Sequence, residues 1–402
     1  MTSWSDSNLR GIVFQEILGK FMEDNPNCVV VNESVTGEDF YIKLKTDFAS
    51  GNESDIFAIS PDIYVSRLVS AGKVAPMTEF LAEDNEWFES FDKSTWRYVK
   101  FNDEIYGLPV EKGYECMFVN TDLFSNLNLE VPKTFTELMD VIPIIKNAGI
   151  IPITYNSLDG GLLLYKNIVA KLAGSQGISP LFSDGQVNEH YINAADYMIK
   201  LFNAGAFPND YYMLSNLEAE NLFLKKQAAI MINRSDFIGE INSVMTTVQT
   251  DSFGNENMTV DIFPFPYIES GNADTSAMIY GVGDGTFFLS SQAYENSAKR
   301  EYCKKILKSI TSAENAEIFA EKTNIITAIK IDNPTVYFSG LMLSGFLLID
   351  SMQEFIGMNN MPIDKNLWDK ELAKQFPYVL EGQSDIKEVW RNIYNETLLD
   401  NN

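Results

Sequence analysis

The sequence predicts an α/β protein built as two lobes, and three observations carry that prediction. Its 402 residues exceed what one hydrophobic core usually supports. Short β-branched runs alternate with helical periodicity, the pattern of βαβ units around a mostly parallel sheet. The same rhythm restarts past residue 110 without a low-complexity linker, as expected of a chain that crosses between lobes more than once.

The first helix is written in SDSNLRGIVFQEILGKFMEDNP, where Val13–Ile17–Phe21 and Phe14–Leu18–Met22 keep helical spacing. Ser5, Asp6 and Ser7 offer N-caps and Asn25–Pro26 a stop. CVVVNESV reads as a strand, DFYIKLKTDFASG as a helix ending at Gly51, and DIFAIS as a short buried strand. PDIYVSRLVSAG opens with proline in a first helical turn and closes on glycine.

EIYGLPVEKGYECMFVNTDLF is harder to place. Glu111, Lys112, Tyr114 and Glu115 precede the apolar run Cys116–Val119, and a core strand seldom starts with so many polar groups. The stretch therefore reads as loop first and strand from Cys116. Beyond it, TFTELMDVIPIIKNAG carries a capping box at Thr134 and Glu137 and an internal Pro143. IPITYN is a strand, and GLLLYKNIVAKLAG and HYINAADYMIKLFNAG are helices. FLKKQAAIMIN runs from helix into strand, with Ser235 or Asp236 capping the next helix. GTFFLS is a strand, NSAKREYCKKILKSITS a helix, and the part from about Pro334 is mainly helical.

Composition narrows the function. A formal net charge of −26 makes a nucleic-acid backbone or an anionic lipid surface a poor partner. No apolar run approaches the roughly 20 residues of a membrane span, and MTSWSDSN lacks the basic and apolar segments of a signal peptide. Cys28, Cys116 and Cys303 are odd in number and lack metal-ligand spacing. They read as small buried residues. One histidine, His190, leaves no room for a multi-histidine metal site. No metal or cofactor is expected.

The segments, taken in order, resemble the extracellular solute-binding proteins of carbohydrate-uptake ABC importers, the broad group of the maltose-binding protein. KFMEDNPNCVVV, YIKLKTDFASGNESDIFAIS, LVSAGKVAPMTEFL, FNDEIYGLP, VNTDLF, VPKTFTEL and FLKKQAAIMIN are similar to successive family motifs. Asn102–Asp103–Glu104 and Lys225–Lys226–Gln227 depart from the family's glycine-containing turns. Arg234–Ser235–Asp236 stands where the family often places a sugar-stacking tryptophan. Only MTSW precedes the first helix, so the first strand of the pattern looks clipped.

The resemblance implies a type II periplasmic-binding-protein-like fold, with discontinuous lobes, hinge crossings and a ligand cleft between the lobes. With crossings near residues 110, 265 and 325, the lobes are expected at 1–110 plus 266–325 and 111–265 plus 326–402. It further implies a mono- or oligosaccharide ligand, permease subunits in the membrane as partner, and no catalysis. A monomer, at a Gram-positive cell surface as a lipoprotein or in a periplasm, completes the expectation.

Candidate ligand residues follow from the rule that open α/β lobes bind at the carboxyl ends of strands. A sugar needs charged or amide partners for its hydroxyls and flat aromatic surfaces for its C–H faces. Trp4, Ser5 and Asp6 follow the first strand; Trp4 either stacks on a sugar or packs under the lobe, and Asp6 either binds or caps. Ser60 and Asp62 follow DIFAI, Asn156 and Asp159 follow IPITY, and Asp236 follows AAIMIN. Glu111 and Tyr114 face the first crossing, with an ordinary Glu111–Lys112 pair and a packed Tyr114 as the alternative. Asp284 lies among the glycines of IYGVGDGTFF, where close backbone approach is allowed. Trp368 stands where the family has a late aromatic, or anchors an amphipathic helix.

Two rival classes remain at this point. A glycoside hydrolase needs two carboxylates about 5–10 Å apart, but no spacing singles out a pair. A metal or other small-solute receptor is suggested by Tyr211–Tyr212, which read better as packing or a cleft rim.

Overall fold

In the computed structural model the described residues are 1–4, 9–35, 38–247, 259–332, 340–357, 363 and 367–400. The chain divides into two compact units, Met1–Gly113 with Gly281–Phe338, and Tyr114–Tyr280 with Ser339–Asn402. The second and third crossings therefore fall some way later than the pattern of elements places them.

In the first unit, helix Leu9–Asp24 buries Val13, Phe14, Ile17, Leu18 and Phe21, the face its spacing selects. A three-stranded sheet has Thr286–Leu289 at its centre. That strand pairs antiparallel with Ile56–Ala58 on one side and with Gly107–Pro109 on the other. The two outer strands thus run the same way, with a strand from much later in the chain between them. Phe40, Leu44, Phe48, Phe57, Val65 and Phe288 fill the core on one face.

No strand forms in CVVVNESV. Val29 and Val31 are exposed, and at the end of the segment the Val35 N–H donates to the Thr2 carbonyl. β-Branched residues favour a strand where a neighbouring ladder and a packed face receive them; here composition outran context.

The second unit is built on a mixed sheet in the order Glu354–Gly357, Ala277–Val282, Glu111–Asn120, Ala228–Arg234, Ile151–Thr154. Ile151–Thr154 runs parallel to Ala228–Arg234, whereas Glu111–Asn120 runs antiparallel to it. The expected mostly parallel sheet is therefore corrected in both units. Glu111–Asn120 is one continuous ten-residue strand, so the polar stretch before Cys116 is strand, not loop. Helix Phe135–Asn147 has the expected capping box, with Thr134 and Glu137 each accepting from the other's backbone. A core that includes Tyr165, Met198, Phe376 and Trp390 packs behind the sheet. Among the described residues no helix is long and apolar enough to cross a membrane.

Candidate functional site

The second unit holds a polar cavity of about 230 Å³ where the strands Ile151–Thr154 and Ala228–Arg234 end. Both strands run the same way, so their carboxyl ends open at the same edge, the place where α/β sheets bind ligands.

Asn156 lies just beyond the first strand and is 2% exposed. Its Oδ1 accepts from the N–H groups of Leu158, at 2.9 Å, and Gly160, at 3.1 Å, which shapes the start of helix Asp159–Gly177. Its Nδ2 donates to Asn216 Oδ1 at 2.8 Å, and Asn216 in turn donates to the Asp159 carboxylate. Asn216 opens helix Asn216–Leu224, fixed there by a capping box between Ser215 and Glu218. One turn later Glu220 faces the same way. Burial raises its carboxyl above the ordinary range, and the charges of Glu240, Asp236 and Asp159 add to the shift while Asn233 opposes it.

The cavity thus gathers three residues that strand-end reasoning singles out, Asn156, Asp159 and Asp236. It adds Asn216, Glu220, Asn233, Arg234 and Glu240, which that reasoning missed. The signal for the first two was local: Ser215-x-x-Glu218 is a capping box, and it sets which residues share the first turns of that helix.

A second cluster belongs to the first unit. Glu111, 6% exposed, pairs with Arg10 at 3.2 Å and accepts the Gly285 N–H at 3.2 Å. Arg10 also reaches Asp284 at 3.5 Å, and Ser3 Oγ donates to the other Asp284 oxygen at 2.5 Å. Burial pushes the Glu111 carboxyl up to about 8; Arg10 opposes this, while the charge of Asp284 and a hydrogen bond with it add to it. Burial also acts upward on Asp284, but Arg10 and hydrogen bonds from Glu111 and Ser3 outweigh it and hold that carboxyl below its usual value. A Cβ on Gly283 would come within 2.3 Å of Glu111 Oε1, so the glycine permits this close approach.

The aromatic candidates do not present stacking faces. Trp4 is 3% exposed and meets Phe14, Phe287 and Phe319 edge-on. Trp368 is fully buried, donates Nε1–H to the Ser157 carbonyl at 2.9 Å, and packs on Tyr165 and Phe376. Tyr114 is fully buried, and a Cβ on Gly345 would lie 1.9 Å from its hydroxyl. All three rings fill their own unit's interior, so their proposed stacking role is corrected to packing. The residue type had suggested a surface, but a large ring also removes much apolar area from water when it packs, and that use wins here.

Asp62 caps helix Ile63–Ser70, accepting from Tyr64 N at 2.8 Å and Val65 N at 3.2 Å. Ser60 beside it is half-buried and takes the Asp62 N–H on its carbonyl. Asp62→Ala is expected to cost about 1 kcal/mol, the usual worth of such a cap, read as a lower urea midpoint. An unchanged midpoint would remove the capping role. Ser5 and Asp6 lie outside the described residues.

Tyr211 is buried in the core, where desolvation pushes its hydroxyl up to about 12; Tyr212 is exposed. Among the described residues no group of three His, Cys, Asp or Glu converges to hold a metal.

Residues 7–317 match the family model described as bacterial extracellular solute-binding protein. The chain belongs to that family. A curated relative of this solute-binding protein, named only as a binding protein, comes from Brucella abortus (strain 2308). It is 25% identical over 132 residues, which span 33% of this chain and 31% of that protein's own length. Among solved structures, a chitin oligosaccharide binding protein is 19% identical over 100% of this chain and 99% of its own, with a TM-score of 0.79. The maltose/maltodextrin-binding domain from Bdellovibrio bacteriovorus bound to maltotriose is 18% identical, covering 98% and 97%, with a TM-score of 0.70. At these identities the likeness is one of fold: the two-lobed α/β architecture expected from the sequence is the fold of this solute-binding protein.

Proposed function

We propose that this chain is the extracytoplasmic substrate-binding component of an ABC importer and that it binds a mono- or oligosaccharide. The observation that carries the reading is the cavity at the carboxyl ends of Ile151–Thr154 and Ala228–Arg234, lined by carboxylates and carboxamides. Sugar hydroxyls donate to Asp159, Glu220 and Asp236, and the carboxamides of Asn216 and Asn233 can both donate and accept. In the first unit, Glu111 and Asp284 are proposed as further polar contacts, through the cluster that Arg10 organises. Permease subunits are the proposed membrane partner, and a lipid-anchored cell-surface or periplasmic monomer the proposed state. Solved structures of the same fold that are named for chitin oligosaccharide, raffinose and maltotriose support the ligand class.

A thermal-shift screen against a sugar panel tests this reading. Ligand at about 100 times its Kd adds about 2.7 kcal/mol to the folded state, which appears as a rise in Tm of several degrees. The same mixtures, assayed for released reducing ends, should show no turnover. A panel without any shift, or steady hydrolysis abolished by one acidic substitution, would overturn the proposal.

A further inference from the structure

The first unit holds a groove of about 650 Å³ that the sugar-binding reading leaves unused. Val29–Val31 and Glu33 border it from one segment, Ser54–Ile56 from another, and Met1 lies beside both. Phe14, Leu18, Phe287, Ile306 and Ile310 give it an apolar floor. Met1 and Thr2 show what shape of occupant it fits. The Met1 amino group donates to the Ile56 carbonyl at 2.7 Å, and the Met1 carbonyl accepts the Ala58 N–H at 2.9 Å. One residue bonded to both flanks of Phe57 in this way is paired parallel to it. On the other side the Thr2 carbonyl accepts the Val35 N–H at 3.3 Å, and the Thr2 N–H donates to Ser34 Oγ at 2.9 Å.

The groove lies where that bonding pattern stops. Backbone groups of a strand alternate between its two edges. Asp55 and Ile59 bond to Ser290 and Thr286, whereas Ile56 and Ala58 bond to Met1. Ser54 is next in line on the Met1 side, and among the described residues it bonds to no backbone group. Across the groove Val29, Val31 and Asn32 make no backbone hydrogen bond among the described residues either, and both valine side chains are exposed. Two facing segments thus offer unused backbone groups, over an apolar floor, in line with a residue already paired as strand. Burial lowers the Met1 amine to about 5. An amide N–H in that place would make the same bond to Ile56 with no charge to desolvate.

We propose that the groove is a strand site whose occupant is extended backbone joined to the Met1 nitrogen, parallel to both bordering segments, with apolar side chains over Phe14, Leu18 and Ile306. The inference is independent of the sugar-binding reading. Direction and register favour this source, because Met1 and Thr2 already carry the parallel pairing that the occupant continues. A strand donated by another polypeptide would have to end against the buried Met1 amine. Once the site is filled, CVVVNESV gains the neighbouring ladder that its β-branched residues fit. The exposed Val29 and Val31 then belong to a sheet of the first unit.

The test compares the full chain with two versions extended ahead of Met1, one by Lys-Val-Thr-Ile-Val and one by Gly-Ser-Gly-Ser-Gly. A further sample receives the first of these peptides, acetylated and amidated, as a separate molecule. The β-branched extension should raise Tm by several degrees and slow hydrogen exchange of the Val29, Val31 and Ser54 amides by at least about ten-fold. The glycine–serine version should stay close to the unextended chain in both readouts. Equal gains from the two extensions would trace the effect to the lost terminal charge and overturn the proposal. Protection by the separate peptide but not by the joined one would give the site to a partner's strand and overturn it too. Protection by neither would show that the groove takes no strand.

Discussion

Glu115→Ala is expected to lower the stability of the second unit by about 3–5 kcal/mol, the cost of stranding one partner of a buried ion pair. Glu115 is fully buried and Lys166 6% exposed, and Lys166 Nζ lies 2.9 Å from Glu115 Oε1. Asn167 Nδ2 donates to the other carboxylate oxygen at 2.9 Å. Both oxygens and the ammonium are therefore satisfied inside the protein, and the alanine variant leaves a positive charge where water cannot reach it. Urea unfolding reads the loss as a lower midpoint at unchanged slope. The double variant Glu115→Leu with Lys166→Met removes both charges and should recover most of the stability, since replacing both partners is often neutral or better. A cost below about 1 kcal/mol for Glu115→Ala would show that the site behaves as an exposed pair.

The second large effect concerns pH. The Glu111 carboxyl is raised from its ordinary value of 4.5 to about 8. Between those values the folded protein binds more protons than the unfolded chain, so stability falls as pH rises. The contribution is fully present below the unfolded pKa and is lost as pH passes the folded one. One pKa unit corresponds to about 1.4 kcal/mol, so the change across this window is of the order of a few kcal/mol. Lys171, buried and lowered to about 8, acts with the opposite sign above that pH, and the buried Met1 amino group, lowered to about 5, acts with the opposite sign inside the window, so Glu111 is read from the difference between variant and wild type. Glu111→Gln keeps the acceptor for Gly285 N–H and removes the titration. Relative to wild type, the variant's Tm should decline less from pH 5 to pH 8. Parallel declines in the two proteins would place the proton elsewhere.

Much of this was legible in the sequence because it is local. The helix at Leu9–Asp24 follows from residue spacing, and the capping box at Thr134 and Glu137 from two side chains three positions apart. The same holds for the strand-end candidates Asn156, Asp159 and Asp236, which the structure brings to one cavity. Strand ends carry ligands for a topological reason, and strand ends can be read from a β-branched run and the polar residues after it.

What tertiary structure alone decided is everything that depends on a distant partner. Trp4, Tyr114 and Trp368 have the residue type of sugar platforms, yet Phe319, Gly345 and Phe376, all far along the chain or on another turn, close over them. CVVVNESV has strand composition, but β-propensity reports fit to a neighbouring surface that no local window contains. Thr286–Leu289 reverses the direction expected of its sheet by entering between two strands written some 180 to 230 residues earlier. Glu115 is a polar residue before an apolar run until Lys166 and Asn167 pair with it. Side-chain period and caps are fixed within one or two turns of chain, so sequence determines the elements and where they end. Burial, strand direction and charge pairing are set by residues that folding alone brings together.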